Sequence, residues 1–381
     1  MDSITQIVLG AAVGEFVLGR KVGNKAMLWG AIAGTIPDLD VYQSLIFDTL
    51  RANELHRGFS HSILFSVIFA PILAWLVSHK EKWTLALLIP IILGFPLISI
   101  SNIAVKLGLM GVIGVILYFT LKNNYTPSNA SQKEWRNLMF WSLITHPLLD
   151  CHTTWGTQLF WPLPYKLAWN NIFVVDPLYT VPFLLCVTAA MFYARESKTR
   201  KWLNYTGIVL STTYMLWSLG VKWYTYRIFE DNLEAKGIIY SRLTTVPTPA
   251  NTFLWSATAD GDSVLYTGLY SIFDKDKNVD FISVPTNHEL LNQVTDTTLL
   301  NRLNFLSKDW YVVSLDSNSY PIYSDARYGP MYIEPNKPNY GFGYQLVERG
   351  GKWRAERGDP PREKIKPMLQ ILWNRIWGKS S

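Results

Sequence analysis

The chain has 381 residues, 49% of them hydrophobic and only 17% charged, and this balance is too apolar for two ordinary soluble domains. The formal net charge of +6 would suit a nucleic-acid-binding surface, but residues 352–379 hold eight basic and three acidic residues, and so supply +5 of that total. We therefore expect membrane lipid as a partner and no nucleic acid, and nothing in the sequence indicates a particular protein partner.

Residues 1–227 carry long apolar runs, which predict a helical membrane domain. Its first two segments, residues 3–18 and 26–36, are less suited to crossing a bilayer, because the first contains polar residues and the second is short. Glycines recur at four-residue spacing in both segments, at Gly10, Gly14, Gly30 and Gly34. This pattern predicts a helix pair whose backbones approach closely.

Five later segments come near the roughly 20 apolar residues that a spanning helix needs. They are residues 63–77, 85–99, 103–121, 175–194 and 205–221. A further helix over residues 135–144 is predicted to lead to a cluster of histidines. The expected fold is mainly α, a polytopic helical membrane bundle followed by a soluble domain.

Basic residues concentrate in short loops between alternate segments, at residues 20–25, 79–82, 122–136 and 195–201. Such loops usually face the cytoplasm, so an alternating path places them on one side of the membrane. The candidate ligands then share the other side: Asp2, Asp38, Asp40, His56, His61, Asp150, His152 and Asp176. We expect a multi-pass protein of a bacterial cytoplasmic (inner) membrane, with its site and soluble domain on the periplasmic or extracellular side.

Two carboxylates and two histidines follow the second segment. An extended Asp38-Leu-Asp40 would turn both carboxylates to one side and offer a pair of oxygen ligands. Acidic residues that cap or end a helix are the alternative interpretation. His56 and His61 flank Gly58, and a break in the helix there would let the two rings converge on a metal ion.

A second cluster contains His146, Asp150 and His152. The first two are four residues apart and share one face of a helix, whereas His152 requires the helix to have ended. Pro147 predicts a kink, which at membrane depth is tolerated where it lines a cavity. A proton relay or a packed histidine is the alternative. Asp176 precedes a proline, an arrangement typical of a helix cap, and is a weaker ligand candidate.

Mixed imidazole and carboxylate ligands suit zinc, iron or manganese, and a set of this size could hold two or three ions. Such ions activate water and stabilise the oxygens of a phosphoester during displacement, so hydrolysis is the expected reaction class. We assign catalytic roles to Asp40, Asp150 and Arg57, with a carboxylate as general base and the guanidinium on a phosphate oxygen. Contact of Arg57 with lipid head groups is the alternative.

Several motifs carry a resemblance to a known family. They are Met-Asp2-Ser-Ile-Thr-Gln6, Pro-Asp38-Leu-Asp40, His56-Arg-Gly-Phe-Ser-His61, Thr-His146-Pro-Leu-Leu-Asp150 and Asp176-Pro-Leu. In this order they resemble the YdjM-like membrane-bound metal-dependent hydrolases, over roughly the first half of the chain. The resemblance implies a helical membrane domain whose active site uses these Asp and His residues. It also implies a distant similarity to zinc-dependent phospholipases C and single-strand nucleases, which hold three zinc ions. Gln6 stands where the family often has His.

Residues 228–358 alternate aromatic and polar residues in short runs and predict a soluble α+β domain with an antiparallel sheet. Strands are expected within residues 263–273 and 310–315, and helix within 287–306. The segment Asp325-Ala-Arg327-Tyr-Gly is either a functional loop or, as we favour, a turn with a salt bridge. Residues 359–381 predict a basic amphipathic tail, on anionic lipid or in solvent. Cys151 and Cys186 are expected to take no part.

The leading hypothesis is a metal-dependent hydrolase that cleaves a phosphoester, such as a phospholipid or lipid head group, at the outer face of the cytoplasmic membrane. An ion- or proton-coupled transporter using the same His/Asp cluster is the main alternative, but it predicts ionisable residues at mid-membrane on several spans. A phosphohistidine lipid phosphatase would need further upstream motifs that the sequence lacks. A scaffold with structural clusters is the third alternative.

Overall fold

The computed structural model describes residues 1–123, 128–330, 332–334, 337–357 and 365–378. Helices dominate as far as residue 235, as the apolar runs predict. They are α1 (Ser3–Gly14), α2 (Asn24–Thr35), α3 (Thr49–Leu55), α4 (Ile63–Gly94), α5 (Ile103–Lys122), α6 (Gln132–Asp150), α7 (Pro177–Ala190) and α8 (Lys198–Ala235). Short pieces join them: a π-helix Glu15–Gly19, the helical turns Arg20–Val22 and Pro96–Ser99, and 3-10 helices Ile36–Leu45 and Phe59–His61.

Helix α4 is a hairpin of two arms and not one straight rod. Lys80 has non-helical dihedral angles (φ −137°, ψ 32°). The hydroxyl of Thr84 donates to the carbonyl of Leu76 at 3.3 Å, although eight residues of straight helix would separate these two positions by about 12 Å. The far arm returns to the starting end, where the hydroxyl of Tyr42 donates to the carbonyl of Ile91. The two separate segments predicted at 63–77 and 85–99 correspond to these arms.

Helices α1 and α2 pack through the predicted glycines. A methyl group built on Gly10 would overlap the carbonyl of Gly30, and one built on Gly30 would overlap the carbonyl of Gly10. Gly14 lies equally close to the carbonyl of Ala26. Only glycine allows this approach, so the four-residue spacing predicted the helix pair correctly.

The basic loops meet at one end of the helical region. Lys21 pairs with Glu134 at 2.7 Å, and Lys25 pairs with Glu81 at 2.8 Å. Arg195 donates to the carbonyl of Lys21 at 2.9 Å. Glu134 lies in the first turn of α6 and Asp150 is its last residue, so the basic end and the second His/Asp cluster lie at opposite ends of one helix.

Among the described residues, two helices are long and apolar enough to cross a membrane, α4 and α5. Helix α7 is apolar but has only 14 residues. The structure thus supports a mainly helical fold with candidate spans, while the full set of five predicted spans is not confirmed. Helix α5 buries only Ile113 and Thr120, which leaves most of its apolar surface without protein contact.

The C-terminal region contains two four-stranded antiparallel sheets, in the orders β1-β2-β3-β4 and β10-β9-β6-β5. The first comprises β1 (Arg242–Pro247), β2 (Leu254–Asp260), β3 (Val264–Ser271) and β4 (Phe281–Pro285). The second comprises β5 (Tyr311–Leu315), β6 (Pro321–Asp325), β9 (Gly343–Arg349) and β10 (Lys352–Arg357). A small ribbon pairs β7 (Tyr332–Glu334) with β8 (Lys337–Asn339).

Two helices accompany these sheets. Helix α9 (Thr297–Ser307) contributes Leu303 to the same core as Tyr323 of the second sheet. Helix α10 (Ile365–Ile376) packs Leu372 and Ile376 against Leu254 of the first sheet. The predicted tail is therefore helical at residues 365–376, while residues 358–364 and 379–381 lie outside the described residues. Strands β3 and β5 fall where the sequence predicts them.

Candidate metal centre

Four side chains from three separate elements converge at the end of α6 that is remote from the basic loops. Asp38 comes from the 3-10 helix after α2, His61 from the turn before α4, and His146 and Asp150 from α6. The Nε2 atoms of the two histidines are 3.1 Å apart. Each of them lies 3.4 Å from Asp38 Oδ1 and 3.4 Å from Asp150 Oδ2. These four residues could hold a metal ion.

Five of the six separations among the four atoms match those around a tetrahedral ion. Ligand atoms about 2.05 Å from a tetrahedral metal lie about 3.3 Å from one another. The five separations given above lie between 3.1 and 3.4 Å, and all four atoms are within 4.8 Å of each other. Asp150 Oδ2 is buried, with Arg57 Nε 3.1 Å away and without a well-aligned hydrogen bond among the described residues. A cation at the centre would bind this oxygen directly.

Both histidines present Nε2 to the group because their other ring nitrogen is occupied. His146 Nδ1 lies against the carbonyl oxygen of Gly34. His61 Nδ1 lies 3.3 Å from Asp40 Oδ2 and 3.0 Å from the hydroxyl of Ser60. A carbonyl or carboxylate on Nδ1 orients the ring and leaves Nε2 as the ligand atom, the usual arrangement of metal-bound histidine.

Asp40 is not a member of the four-residue group, although the sequence predicted it as a ligand. Residues 36–45 form a 3-10 helix and not the expected extended strand, so Asp38 and Asp40 point to different neighbours. Asp40 accepts the backbone N–H of Arg57 at 2.8 Å and lies 2.9 Å from His56 Nδ1. Together with its contact to His61, Asp40 orients both histidines of the first motif.

The carboxylate of Asp150 has contacts on both oxygens. The α-amino group of Met1 and the side-chain amide of Gln6 donate to Oδ1, the latter at 2.9 Å. Arg57 Nε lies 3.1 Å from Oδ2. Gln6 therefore contacts a ligand and holds its orientation, in place of the histidine ligand that the resemblance would lead one to expect.

Three other predicted ligands make different contacts. Asp2 caps α1, and Asp176 caps α7 while accepting the hydroxyl of Tyr214 at 2.9 Å. His152 Nδ1 lies 2.9 Å from the side-chain oxygen of Asn171. None of these three belongs to the four-residue group, and neither does His56, which was also predicted to be a ligand. The capping alternative considered for Asp176 is the one observed.

Electrostatics at the site favour charged carboxylates and a protonated imidazole when no cation is present. Burial alone would raise the pKa of Asp38, but the neighbouring rings of His146 and His61 hold it well below its usual range. Burial opposes protonation of His61, yet hydrogen bonds to Asp150, Asp38 and Asp40 raise its pKa to about 10. A metal ion that binds here must displace that proton.

A cavity of about 550 Å³ adjoins the site. It is lined by Asp40, Val41, Ser44, Ala52, Asn53, His56, Arg57, Phe95, Thr154, Trp155, Phe173, Val174, Val175, Tyr328, Phe342 and Arg357. Sequence reasoning did not find the last three, because they belong to the C-terminal region and no local motif links them to the histidines. It also did not single out Lys166, which donates to the carbonyl of His56 at 2.8 Å. Burial, with help from the charges of Arg57 and Arg327, lowers the pKa of Lys166 to about 7.

A comparison with protein families gives the relationship of this chain. The model of the YdjM inner membrane protein family matches residues 1–229. The chain belongs to the YdjM inner membrane protein family. Every residue of the four-residue group lies within the matched part of this YdjM-family chain. No curated protein and no solved structure matches it.

Proposed function

We propose that this YdjM-family protein is a metal-dependent hydrolase that cleaves a phosphoester, such as that of a lipid head group, at the outer face of the inner membrane. The observation that carries the proposal is the compact, buried group of Asp38, His61, His146 and Asp150, whose four ligand atoms lie within 4.8 Å of one another. Among the described residues one such group is present, so we propose one ion, with zinc first and iron or manganese next. The resemblance implies more ions than this.

A bound divalent ion would supply Lewis acidity and lower the pKa of a water molecule. The chain's own residues would do the rest. Arg57 lines the cavity and would bind a phosphate oxygen, since its guanidinium already lies at the site. His56 is partly exposed to the same cavity and is held at Nδ1 by Asp40, so its Nε2 would accept or donate the proton during ester cleavage.

The position of the site supports hydrolysis over transport. The four ligands lie together at one end of α6, whereas a transporter would need ionisable groups along the depth of several spans. We further propose a multi-pass arrangement in which the basic loops are cytoplasmic and the site is periplasmic or extracellular. Membrane lipid would then reach the site by lateral diffusion.

The decisive experiment measures metal content and hydrolysis in matched variants. Purified wild type and His152→Ala are expected to carry about one equivalent of metal per chain and to hydrolyse a short-chain phospholipid in detergent micelles. His61→Ala is expected to lose both properties. His152 is the matched control because it lies near the same helix end but outside the four-residue group. A thermal unfolding curve of each variant checks that it is folded.

Two results would remove the proposal. The first is wild-type protein, purified without chelators and supplied with zinc, iron or manganese, that holds no stoichiometric metal. The second is folded His61→Ala that retains full metal content and full hydrolysis.

A further inference from the structure

The cavity beside the metal centre has two unlike walls. On the side of the centre it is lined by His56 and Arg57, and Arg57 is only 5% exposed. The guanidinium of Arg57 donates to the hydroxyl of Thr153 at 2.7 Å and lies 3.1 Å from Asp150 Oδ2. A buried cation thus stands at the inner end of the cavity.

The other wall is apolar. Phe95, Phe173, Val174 and Val175 line it, and Val175 is 49% exposed. Phe95 directly follows α4, a candidate membrane span, so this wall lies where the returning arm of that helix ends. The apolar side of the cavity is therefore continuous with a surface suited to lipid.

An exposed apolar segment extends this wall outwards. Leu45, Ile46 and Phe47 follow Ser44, which lines the cavity, and they are 61%, 78% and 43% exposed. Three consecutive exposed apolar side chains are costly in water but suit the boundary of a bilayer. An exposed apolar segment therefore begins directly after a residue of the cavity lining.

The C-terminal region contributes part of the lining of the cavity. Tyr328, Phe342 and Arg357 belong to it, and all three lie outside the part of the chain that matches the YdjM family. The turn that carries Tyr328 is fixed by an ion pair of 2.6 Å between Asp325 and Arg327. These residues add aromatic surface and a second guanidinium to the cavity.

Resting on the proposed hydrolase function, we propose that this cavity is the binding chamber for a lipid with an anionic phosphate head group, and that Tyr328, Phe342 and Arg357 of the C-terminal region form its selective wall. The phosphate lies between Arg57 and Arg357, next to the four-residue group. The acyl part lies along Phe95 and Val175 towards the bilayer. A water-soluble phosphate would use only the cationic half of this chamber, and an uncharged apolar molecule only the other half.

Protection of an introduced thiol tests the chamber directly. Ser44→Cys is made in a Cys186→Ser background, since Ser44 lines the cavity and the remaining Cys151 is buried. Metal-loaded full-length protein in detergent is treated with a maleimide, with or without a non-hydrolysable phosphonate analogue of dioctanoyl phosphatidate. We expect the analogue to slow labelling by about tenfold, because the occupied chamber covers the thiol. Ser241→Cys, exposed on the C-terminal region, is the control whose labelling stays unchanged.

A pair of arginines on strand β10 tests the selective wall. Arg357→Gln is expected to raise the half-protecting analogue concentration by about tenfold, as the loss of one charge-assisted contact does. Arg354→Gln, exposed on the same strand but not part of the cavity, is expected to change nothing.

Several outcomes would contradict the proposal that the cavity binds an anionic lipid. One is equal protection by glycerol 3-phosphate, which lacks acyl chains; another is equal protection by the zwitterionic dioctanoyl phosphatidylcholine. A third is no protection in protein that holds metal and hydrolyses a phosphoester, which leaves the proposed function standing. Protection in protein that proves unable to hydrolyse any phosphoester would instead support the chamber and refute the hydrolase.

Discussion

The two ends of helix α6 both gather charged residues, but in opposite ways. At the Glu134 end, the partner Lys21 is 41% exposed and the glutamate itself 38% exposed, so water solvates both. At the Asp150 end, the side chains of His61, His146 and Asp150 are fully buried. Exposed pairs are solvated by water, whereas the buried carboxylate of Asp150 faces two imidazole nitrogens at 3.4 Å, a separation that leaves room for a cation or a proton. The difference marks which end could hold a metal ion.

Replacing one carboxylate at each end of α6 by its amide should give the largest difference in metal affinity between the two ends. Asp150→Asn removes a ligand charge and is expected to weaken metal affinity by more than about 100-fold. Glu134→Gln, on the same helix, should leave metal affinity unchanged, because its contacts are with Lys21 and Ser131. Titration with a competing chelator measures both. Equal affinities for the two variants would show that Asp150 is not a ligand.

The basic end also contains a buried ion pair, in contrast to the exposed pair of Lys21 and Glu134. Arg200 and Glu15 form a pair in which both side chains are at most 6% exposed. Arg200→Met leaves the glutamate buried and unpaired, so we expect the free energy of unfolding to fall by about 3–5 kcal/mol. Lys21→Met, which removes an exposed partner, should cost no more than about 1 kcal/mol. Thermal unfolding in detergent gives both values, and a similar cost for the two would contradict the argument.

Asp40 should have an effect on metal affinity between those of Asp150 and Glu134, because it contacts a member of the four-residue group without belonging to the group. Asp40→Asn keeps the shape but weakens its contacts with His56, His61 and the backbone of Arg57. We expect metal affinity to fall by about 10- to 100-fold and the metal stoichiometry to stay the same. Loss of all bound metal, at concentrations that saturate wild type, would instead show that Asp40 is a ligand.

The dependence of metal affinity on pH is the most gradual effect, at no more than about tenfold per unit. His61 without metal has a pKa raised to about 10, so it is protonated at neutral pH, whereas the pKa of Asp38 is held well below its usual range and that carboxylate is already charged. Metal must therefore displace a proton from the imidazole. Apparent affinity should rise with pH, by up to about tenfold per unit between pH 6 and 8 for one proton released. An affinity that is constant over this range would show that His61 is unprotonated before metal binds.

Local patterns in the sequence were enough to predict much of the helical region. The four-residue glycine spacing gave the α1–α2 pair, and the two apolar segments around residue 80 gave the arms of α4. The motifs also identified all four members of the metal group. These features depend on short-range periodicity and on residue types that are costly to bury, both of which are visible in one chain.

The role of each residue within the site could not be predicted from such local patterns. Asp38 and Asp40 are both acidic and two residues apart, and only the 3-10 geometry makes one a candidate ligand and the other an orienting group. Asp2 and Asp176 were predicted to be ligands because they share the correct side, yet they cap helices. Tyr328 and Arg357 line the cavity together with residues that are far from them in the sequence, and no local pattern reveals such contacts.

The close packing of α1 against α2 has a consequence beyond helix association. Gly34 belongs to this interface, and its carbonyl oxygen is the atom that orients His146. The histidine therefore has this ring orientation only where α2, packed on α1, also lies against α6. Metallation would follow assembly in time, and a chain misfolded in its first 35 residues would stay metal-free even with every ligand intact.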